Sequence, residues 1–135
     1  MNDQHLMEDF VVESVIKHLE SNGFMIKEFA MGRNHGIDVH AENGAAKILV
    51  EAKGAKGNPS NGPVTRSKFD SGQIRDHFGK AIVKVLELKN IHPQAELWIA
   101  HPDTADIRRI VDPLKAHLMA LGVKCVYVLP SGEIS

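Results

Sequence analysis

The sequence lacks three features that would place it outside the ordinary cytoplasmic proteins. Its single cysteine, Cys125, cannot form an internal disulfide, which excludes a disulfide-stapled fold and suits a reducing compartment. No apolar run approaches the roughly 20 residues that a membrane span needs. The opening segment, MNDQHLMEDF, is acidic and lacks the basic stretch and apolar block of a secretory signal. We therefore expect a cytoplasmic protein with no membrane segment.

The sequence also lacks an excess of charge of either sign, and several catalytic motifs are absent. A formal net charge of −1 excludes a protein that coats nucleic acid through bulk charge, although a local basic patch stays open. There is no GxGxxG or GxxxxGKS/T motif for nucleotides and no nucleophile elbow. His35, Asp38 and His40 lie close in sequence, but without HExxH or paired cysteines a zinc hydrolase is the weaker reading.

What is present is the pattern of a folded α/β protein. A length of 135 residues fits one domain, 1–135, and 43% hydrophobic residues can form a real core. Apolar periodicity and turn residues predict the order α-β-β-β-α-β-α-β, with a mixed sheet covered on both faces. The predicted helices are 4–22, 71–89 and 104–121, the last broken at Asp112-Pro113, and the predicted strands are 24–30, 35–42, 45–53, 95–101 and 123–129.

The second and third strands form a predicted hairpin. Asn43-Gly44 between two apolar runs is a strong signal for a two-residue turn. Such a turn would place Asp38 opposite Leu49 and Gly36 opposite Glu51. One face of the hairpin would then be apolar and carry Ile37, Val39, Ala41, Ile48, Val50 and Ala52. The other face would gather Asp38, Glu51 and Lys53.

Two carboxylates and an amine on one face indicate metal chemistry. Carboxylates that emerge from an apolar run cost stability unless they are paired or bind a metal ion. A divalent cation relieves their repulsion, and hard oxygen ligands suit Mg²⁺, which often takes only one or two carboxylates. The alternative is a partly solvated ion-pair cluster on a hairpin at the edge of the sheet.

These residues resemble a known family. Gly36-Ile37-Asp38-Val39 followed by Glu51-Ala52-Lys53 is similar to the motif of the PD-(D/E)XK nuclease superfamily, with Ile37 where the motif has proline. The resemblance implies the restriction-endonuclease-like fold and hydrolysis of DNA phosphodiester bonds with Mg²⁺, for which Mn²⁺ can substitute. It implies that Asp38, Glu51 and the carbonyl of Ala52 hold the metal, and that Lys53 positions the attacking water.

Two further catalytic residues follow from the same resemblance. Members of the superfamily often supply a glutamate from the first helix, for which Glu13 is the best-placed match. Many have a glutamine at the start of the helix after the lysine strand, matched here by Gln73. Each residue also has a structural interpretation, because Glu13 can be merely solvated and Gln73 can close a capping box with Asp70.

Basic residues suggest contacts with the DNA backbone. The glycine-rich segment 54–69 carries Lys56, Arg66 and Lys68 and no acid, and Lys80 lies on a helix face with Gln73. Either set can equally be a solvated surface. The sequence leaves two alternative functions open: a module that binds DNA or protein without catalysis, and a nuclease subunit guided by a partner protein. It also leaves open whether the protein forms a homodimer.

Overall fold

The computed structural model describes residues 3–29, 36–57 and 68–135. Its helices are α1 (Glu8–Ser21), α2 (Ser71–Ile91), α3 (Ala105–Val111) and α4 (Lys115–Ala120), with short 3₁₀ turns at Gln4–Leu6 and Asp112–Leu114. Its strands are β1 (Met25–Phe29), β2 (Val39–Asn43), β3 (Ala46–Ala52), β4 (Glu96–Pro102) and β5 (Val123–Val128). The predicted element order is confirmed, including the break at Asp112-Pro113.

The strands of the described residues form one mixed sheet in the order β1-β2-β3-β4-β5. The pairs β1–β2 and β2–β3 are antiparallel, whereas β3–β4 and β4–β5 are parallel. The hairpin therefore lies inside the sheet, because β1 covers β2 and β4 covers β3. The edge position in the alternative interpretation is therefore wrong, whereas its ion pair is present between Lys53 and Glu51.

The hairpin turn differs from the predicted one by a single position. Asn43 pairs with Ala46, so the turn residues are Gly44 and Ala45 instead of Asn43 and Gly44. Only Gly44 has a positive φ, 61°, as in a type II′ turn, which asks for glycine at the first central position alone. The observed register also sets Glu42 opposite Lys47, an attractive pair of opposite charges.

This correction moves the register by two residues, so each strand residue keeps its predicted face. Val39 pairs with Val50, and the next position beyond that pair brings Asp38 in line with Glu51 rather than with Leu49. The two carboxylates are therefore closer than predicted. Ile37 is the exception to the face assignment, because it precedes β2 and packs with the residues on the α2 side of the sheet.

Helices cover both faces of the sheet, as predicted. On one face α1 packs on β2, β3 and β4 through its buried residues Val11, Val12, Val15 and Leu19. On the other face α2, α3 and α4 pack on β3, β4 and β5, with Ile74, Phe78, Ala81 and Val85 of α2 at the centre. Among the described residues, no helix is both long and apolar enough to cross a membrane.

Candidate functional site

Asp38 and Glu51 form a buried pair of carboxyl groups beside the carboxyl end of β3. Asp38 is 9% exposed and Glu51 is 8% exposed. The backbone N–H of Ala52 donates to Oδ2 of Asp38 at 2.8 Å, which fixes the Asp38 side chain against β3. The two carboxyl groups are close enough for each to change the pKa of the other.

Lys53 completes the group on the same face. Its Nζ lies 3.6 Å from Oε2 of Glu51, and its side chain is 20% exposed. The backbone N–H of Lys53 donates to the carbonyl of Ala100 at 2.9 Å, so the ladder with β4 continues past the last strand residue and holds Lys53 in place. The structure thus brings together Asp38, Glu51, Ala52 and Lys53.

The acid that α1 contributes is Glu8, not Glu13. The charges of Asp38 and Lys53 both act on the Glu8 carboxyl, whereas Glu13 is exposed to solvent. Five residues advance a helix by about 140° around its axis beyond one full turn, so the two glutamates face different directions. The structure therefore does not bring Glu13 to the carboxylate pair, and Glu8 is the acid of α1 that lies near it.

A close backbone approach explains why Glu8 reaches the site. The segment after Lys53 passes the start of α1, where the N–H of Ala55 donates to the carbonyl of Leu6 at 2.7 Å. A Cβ atom at Gly54 would lie 2.8 Å from the backbone nitrogen of Glu8, so only glycine fits there. Glu8 and Lys53 consequently line the same cleft, which has a volume of about 210 Å³.

Burial makes all three carboxyl groups hard to ionise, and repulsion by Asp38 adds to it at Glu8 and Glu51. Burial, followed by the charge of Asp38, raises the pKa of Glu8 to about 7. The same two causes raise the pKa of Glu51 to about 8. Burial also raises the pKa of Asp38, although the hydrogen bond from Ala52 opposes it. At neutral pH the site therefore holds protons that a bound cation would displace.

The donor set fits a hard divalent cation. Asp38 and Glu51 supply carboxylate oxygens. The N–H and carbonyl of a strand residue leave the same edge of the strand, so the Ala52 carbonyl lies beside Asp38. In the described part of the chain, no three His, Cys, Asp or Glu side chains form a cage for a metal ion by themselves. One or two carboxylates with water and substrate oxygens are the usual environment of Mg²⁺, whereas structural zinc needs four protein ligands.

Gln73 forms part of the N-terminal cap of α2 and does not reach the carboxylates. The N–H of Gln73 donates to Oδ1 of Asp70 at 2.8 Å, and the N–H of Asp70 donates to Oε1 of Gln73 at 2.9 Å. Both hydrogen bonds of the capping box are present, and Gln73 is exposed. The structural interpretation of Gln73 is confirmed, and the structure does not bring its side chain to the carboxylates.

Lys80, one of the predicted DNA contacts, shares a groove with the Glu51 carboxyl group. It lines a groove of about 570 Å³ with Glu51, Lys53, Arg75 and Lys84. The charge of Lys84 lowers the pKa of both Asp38 and Glu51, so this face of α2 acts electrostatically on the site.

The other predicted contacts, Lys56, Arg66 and Lys68, belong to the glycine-rich segment 54–69 of the sequence. Lys56 lines the cleft with Glu8 and Lys53, and its Nζ is 3.3 Å from Oδ2 of Asp3. Lys68 is exposed and pairs with Lys56 through one isolated β-bridge. Arg66 lies outside the described residues, as does His35.

His40 is occupied by other partners. Its Nε2 lies 2.9 Å from Oε2 of Glu42, and its Nδ1 lies 3.8 Å from Oε1 of Glu28. These contacts tie the imidazole to β1 and β2 rather than to Asp38. They add no support to the hypothesis of a zinc hydrolase.

The raised carboxyl pKa values predict that the metal-free protein loses stability as pH rises. Glu8 and Glu51 hold protons in the folded state up to about pH 7 and 8, but only up to about 4.5 when unfolded. The folded state binds more protons in this window, so the free energy of unfolding falls as pH increases. From about pH 6.5 to 8.5 we expect the Tm to drop by about 4 °C or more, the shift that 1 kcal/mol produces in a small domain.

The measurement is thermal unfolding in EDTA at both pH values, for the wild type and for Glu51→Gln. Glu51→Gln keeps the shape of the side chain and removes the titrating group, so its Tm should depend less on pH. The window starts at the ordinary pKa of histidine because buried His101, whose pKa is lowered, contributes the opposite slope below it. Equal slopes for the two proteins would contradict the assignment.

Comparisons of the chain with protein-family models, with curated proteins and with solved structures find no match.

Proposed function

We propose that this protein is a Mg²⁺-dependent nuclease that hydrolyses phosphodiester bonds of DNA, with the restriction-endonuclease-like fold of the PD-(D/E)XK superfamily. The observation that carries the proposal is the buried pair of Asp38 and Glu51 with Lys53 3.6 Å from Glu51. Burial of two adjacent carboxyl groups costs stability, and a structural role would be served as well by apolar residues. A divalent cation bound by both carboxylates would offset this cost and would explain why the two acids are buried side by side.

The roles of the residues follow from their chemistry. Asp38, Glu51 and the Ala52 carbonyl would hold the cation, which when bound neutralises phosphate charge and lowers the pKa of a bound water. Lys53 lies beside this position and can orient the attacking water and contact a phosphate oxygen. Glu8, across the cleft from Lys53, can accept a hydrogen bond from water and so act on the cation indirectly.

The groove beside the site supports a polyanionic substrate. Arg75, Lys80 and Lys84 of α2 line the same groove as Glu51 and Lys53, and so do the acids Asp76 and Glu87. Three cations in this position can pair with successive phosphates and fix the register of a strand, although they read no sequence. The protein can therefore hold a DNA backbone locally while its net charge is only −1. The cytoplasmic location expected from the sequence stays a prediction.

The proposal is tested by cleavage assays on linear, supercoiled, branched and single-stranded DNA with Mg²⁺ or Mn²⁺, and with EDTA as the negative control. Glu8→Gln and Glu13→Gln form a matched pair on the same helix. Glu8→Gln should lower metal affinity or cleavage by about 10- to 100-fold, as expected for a residue that supports metal ligands. Glu13→Gln should cleave like the wild type, because Glu13 lies outside the site.

Three results would count against the proposal or its details. Metal binding without cleavage of any of these substrates would favour a binding module with the same fold. Equal losses in the two glutamate variants would contradict the placement of Glu8. Absence of metal binding, measured by calorimetry, would reject the proposed site altogether.

A further inference from the structure

A buried histidine lies beside Lys53 and has no role in the proposed site so far. Ala52 pairs with Ala100 in the parallel β3–β4 ladder, so Lys53 and His101 occupy the next two facing positions. Facing residues of adjacent strands are about 4.8 Å apart and point to the same side of the sheet. His101 accordingly packs on the α2 side, with its ring edge-to-face on Phe78 at a centroid distance of 5.5 Å.

The imidazole of His101 is unusual because neither ring nitrogen has a hydrogen-bond partner among the described residues. The residue is 2% exposed, and both ring nitrogens are buried. Buried polar atoms are nearly always paired in native proteins, because an unpaired one forfeits its hydrogen bonds to water. An apolar ring of the same shape would fill this position at lower cost, so the imidazole indicates a use for its nitrogens.

His101 offers the site a neutral hydrogen-bond acceptor. Burial, followed by the charges of Lys53 and His77, lowers the pKa of His101 to about 3. One ring nitrogen of a neutral imidazole therefore carries a hydrogen and the other accepts. No hydrogen bond joins the ring to Lys53 among the described residues, so its accepting nitrogen is unused.

The binding of a cation would change the partner of Lys53. The ammonium group now lies 3.6 Å from Glu51. Because like charges repel, a divalent cation on Glu51 would push the ammonium away from this carboxylate. Lys53 is anchored to β4 through the hydrogen bond from its N–H to the carbonyl of Ala100, so its side chain turns about a backbone position that faces His101 in the ladder.

We propose that His101 is a positioning residue, whose free ring nitrogen accepts a hydrogen bond from the Lys53 ammonium once a divalent cation occupies the carboxylates. This inference rests on the proposed function, since it assigns the position that Lys53 takes during catalysis. His101 would hold the lysine beside the water-binding position and away from the metal ligands. It would touch neither the substrate nor the cation.

The direct test is ¹⁵N NMR of the histidine side chains in the full-length protein. The His101 signals are assigned by their loss in His101→Phe. Addition of Mg²⁺ should shift the signal of the non-protonated ring nitrogen of His101, because that nitrogen becomes an acceptor. The shift should be absent in Lys53→Met, which keeps the length of the side chain without the donor. An unchanged His101 signal in the Mg²⁺-saturated wild type would overturn the inference.

Cleavage kinetics give a second, independent readout. His101→Phe should lower kcat by about 10- to 100-fold, the effect of a misplaced catalytic group, with little change in KM. Its Tm should equal or exceed that of the wild type, since an apolar ring needs no partner. His101→Asn or His101→Gln, which place a carbonyl oxygen near Nδ1 or Nε2 respectively, should restore part of kcat. His18→Phe, on the opposite face of the sheet beside Trp98, is the matched control and should keep the wild-type kcat.

The two proposals fail separately. A wild-type protein that cleaves no nucleic acid but shows the Mg²⁺-dependent shift of His101 would remove the nuclease function and keep the lysine–histidine contact. A wild-type protein that cleaves, with an equally active His101→Phe variant, would remove the positioning role and keep the nuclease function.

Discussion

Asp38→Asn is expected to lower metal-dependent cleavage by about 10³-fold or more while the protein stays folded. A catalytic metal contributes several kcal/mol to the transition state, and each 1.36 kcal/mol is a factor of ten. The amide keeps an oxygen to accept the Ala52 N–H, now 2.8 Å from Oδ2 of Asp38, and its NH₂ group can donate to Glu51. The measurements are cleavage rates, with urea unfolding in EDTA at about pH 8, the value to which the pKa of Glu51 is raised.

The stability of this variant separates the site from a structural ion pair. Asp38→Asn removes one charge from a buried pair, so the free energy of unfolding without metal should be unchanged or higher. Asp38→Ala is the control, because it leaves the Ala52 N–H without its acceptor and should cost about 1–3 kcal/mol. Mg²⁺ should raise the Tm of the wild type only. Wild-type cleavage by Asp38→Asn would exclude Asp38 as a metal ligand.

The local pattern of the sequence was enough to predict the carboxylate pair. Alternation along β2 and β3 assigns Asp38, Glu51 and Lys53 to one face, and any error of two residues in the register leaves that assignment intact. The turn position was wrong because Asn43-Gly44 and Gly44-Ala45 both satisfy the preference for glycine in a tight turn. The cross-strand pairing of Glu42 with Lys47 is a sequence signal that favours the observed register.

The contribution of α1 could not be predicted in the same way. Helical periodicity identifies which residues of α1 face the sheet, but not how far the helix slides along it. That position is fixed by the contact of Gly54 with the backbone of Glu8, between segments far apart in sequence. A glycine directly after Lys53 was the available signal, since glycine often marks a close backbone approach. Glu13 was the best match to a family pattern and lies on another face.

The proposed role of His101 could not be predicted from the sequence either. It follows an apolar strand pattern, and its sequence neighbourhood gives no sign of a site. Its importance appears only when the parallel register places it opposite Lys53 and when both ring nitrogens are seen to be unpaired. Parallel pairing joins strands that are separated by a whole helix, so no short-range signal in the sequence can indicate it.

Lys53→Ala is expected to separate metal binding from catalysis. The loss of a proton-transfer and orienting group should lower the cleavage rate by about 10²–10⁴-fold. Mn²⁺ affinity should be unchanged or higher, because the ammonium that competes with the cation for Glu51, 3.6 Å away, is gone. Affinity is measured by calorimetry at about pH 8.5, where fewer carboxyl protons have to be displaced.

The variant Lys53→Arg tests whether a positive charge at position 53 is sufficient for cleavage. Guanidinium keeps the positive charge, but it is bulkier and does not release a proton near neutral pH. The side chains of Glu51 and Lys53 are only 11% and 20% exposed, so the larger group has little room to reach the same position. We therefore expect Lys53→Arg to remain at least about tenfold below the wild type, since positioned proton transfer contributes more than that. Wild-type cleavage by Lys53→Ala would reduce the lysine to a salt-bridge partner of Glu51, and the nuclease proposal would lose its most specific residue.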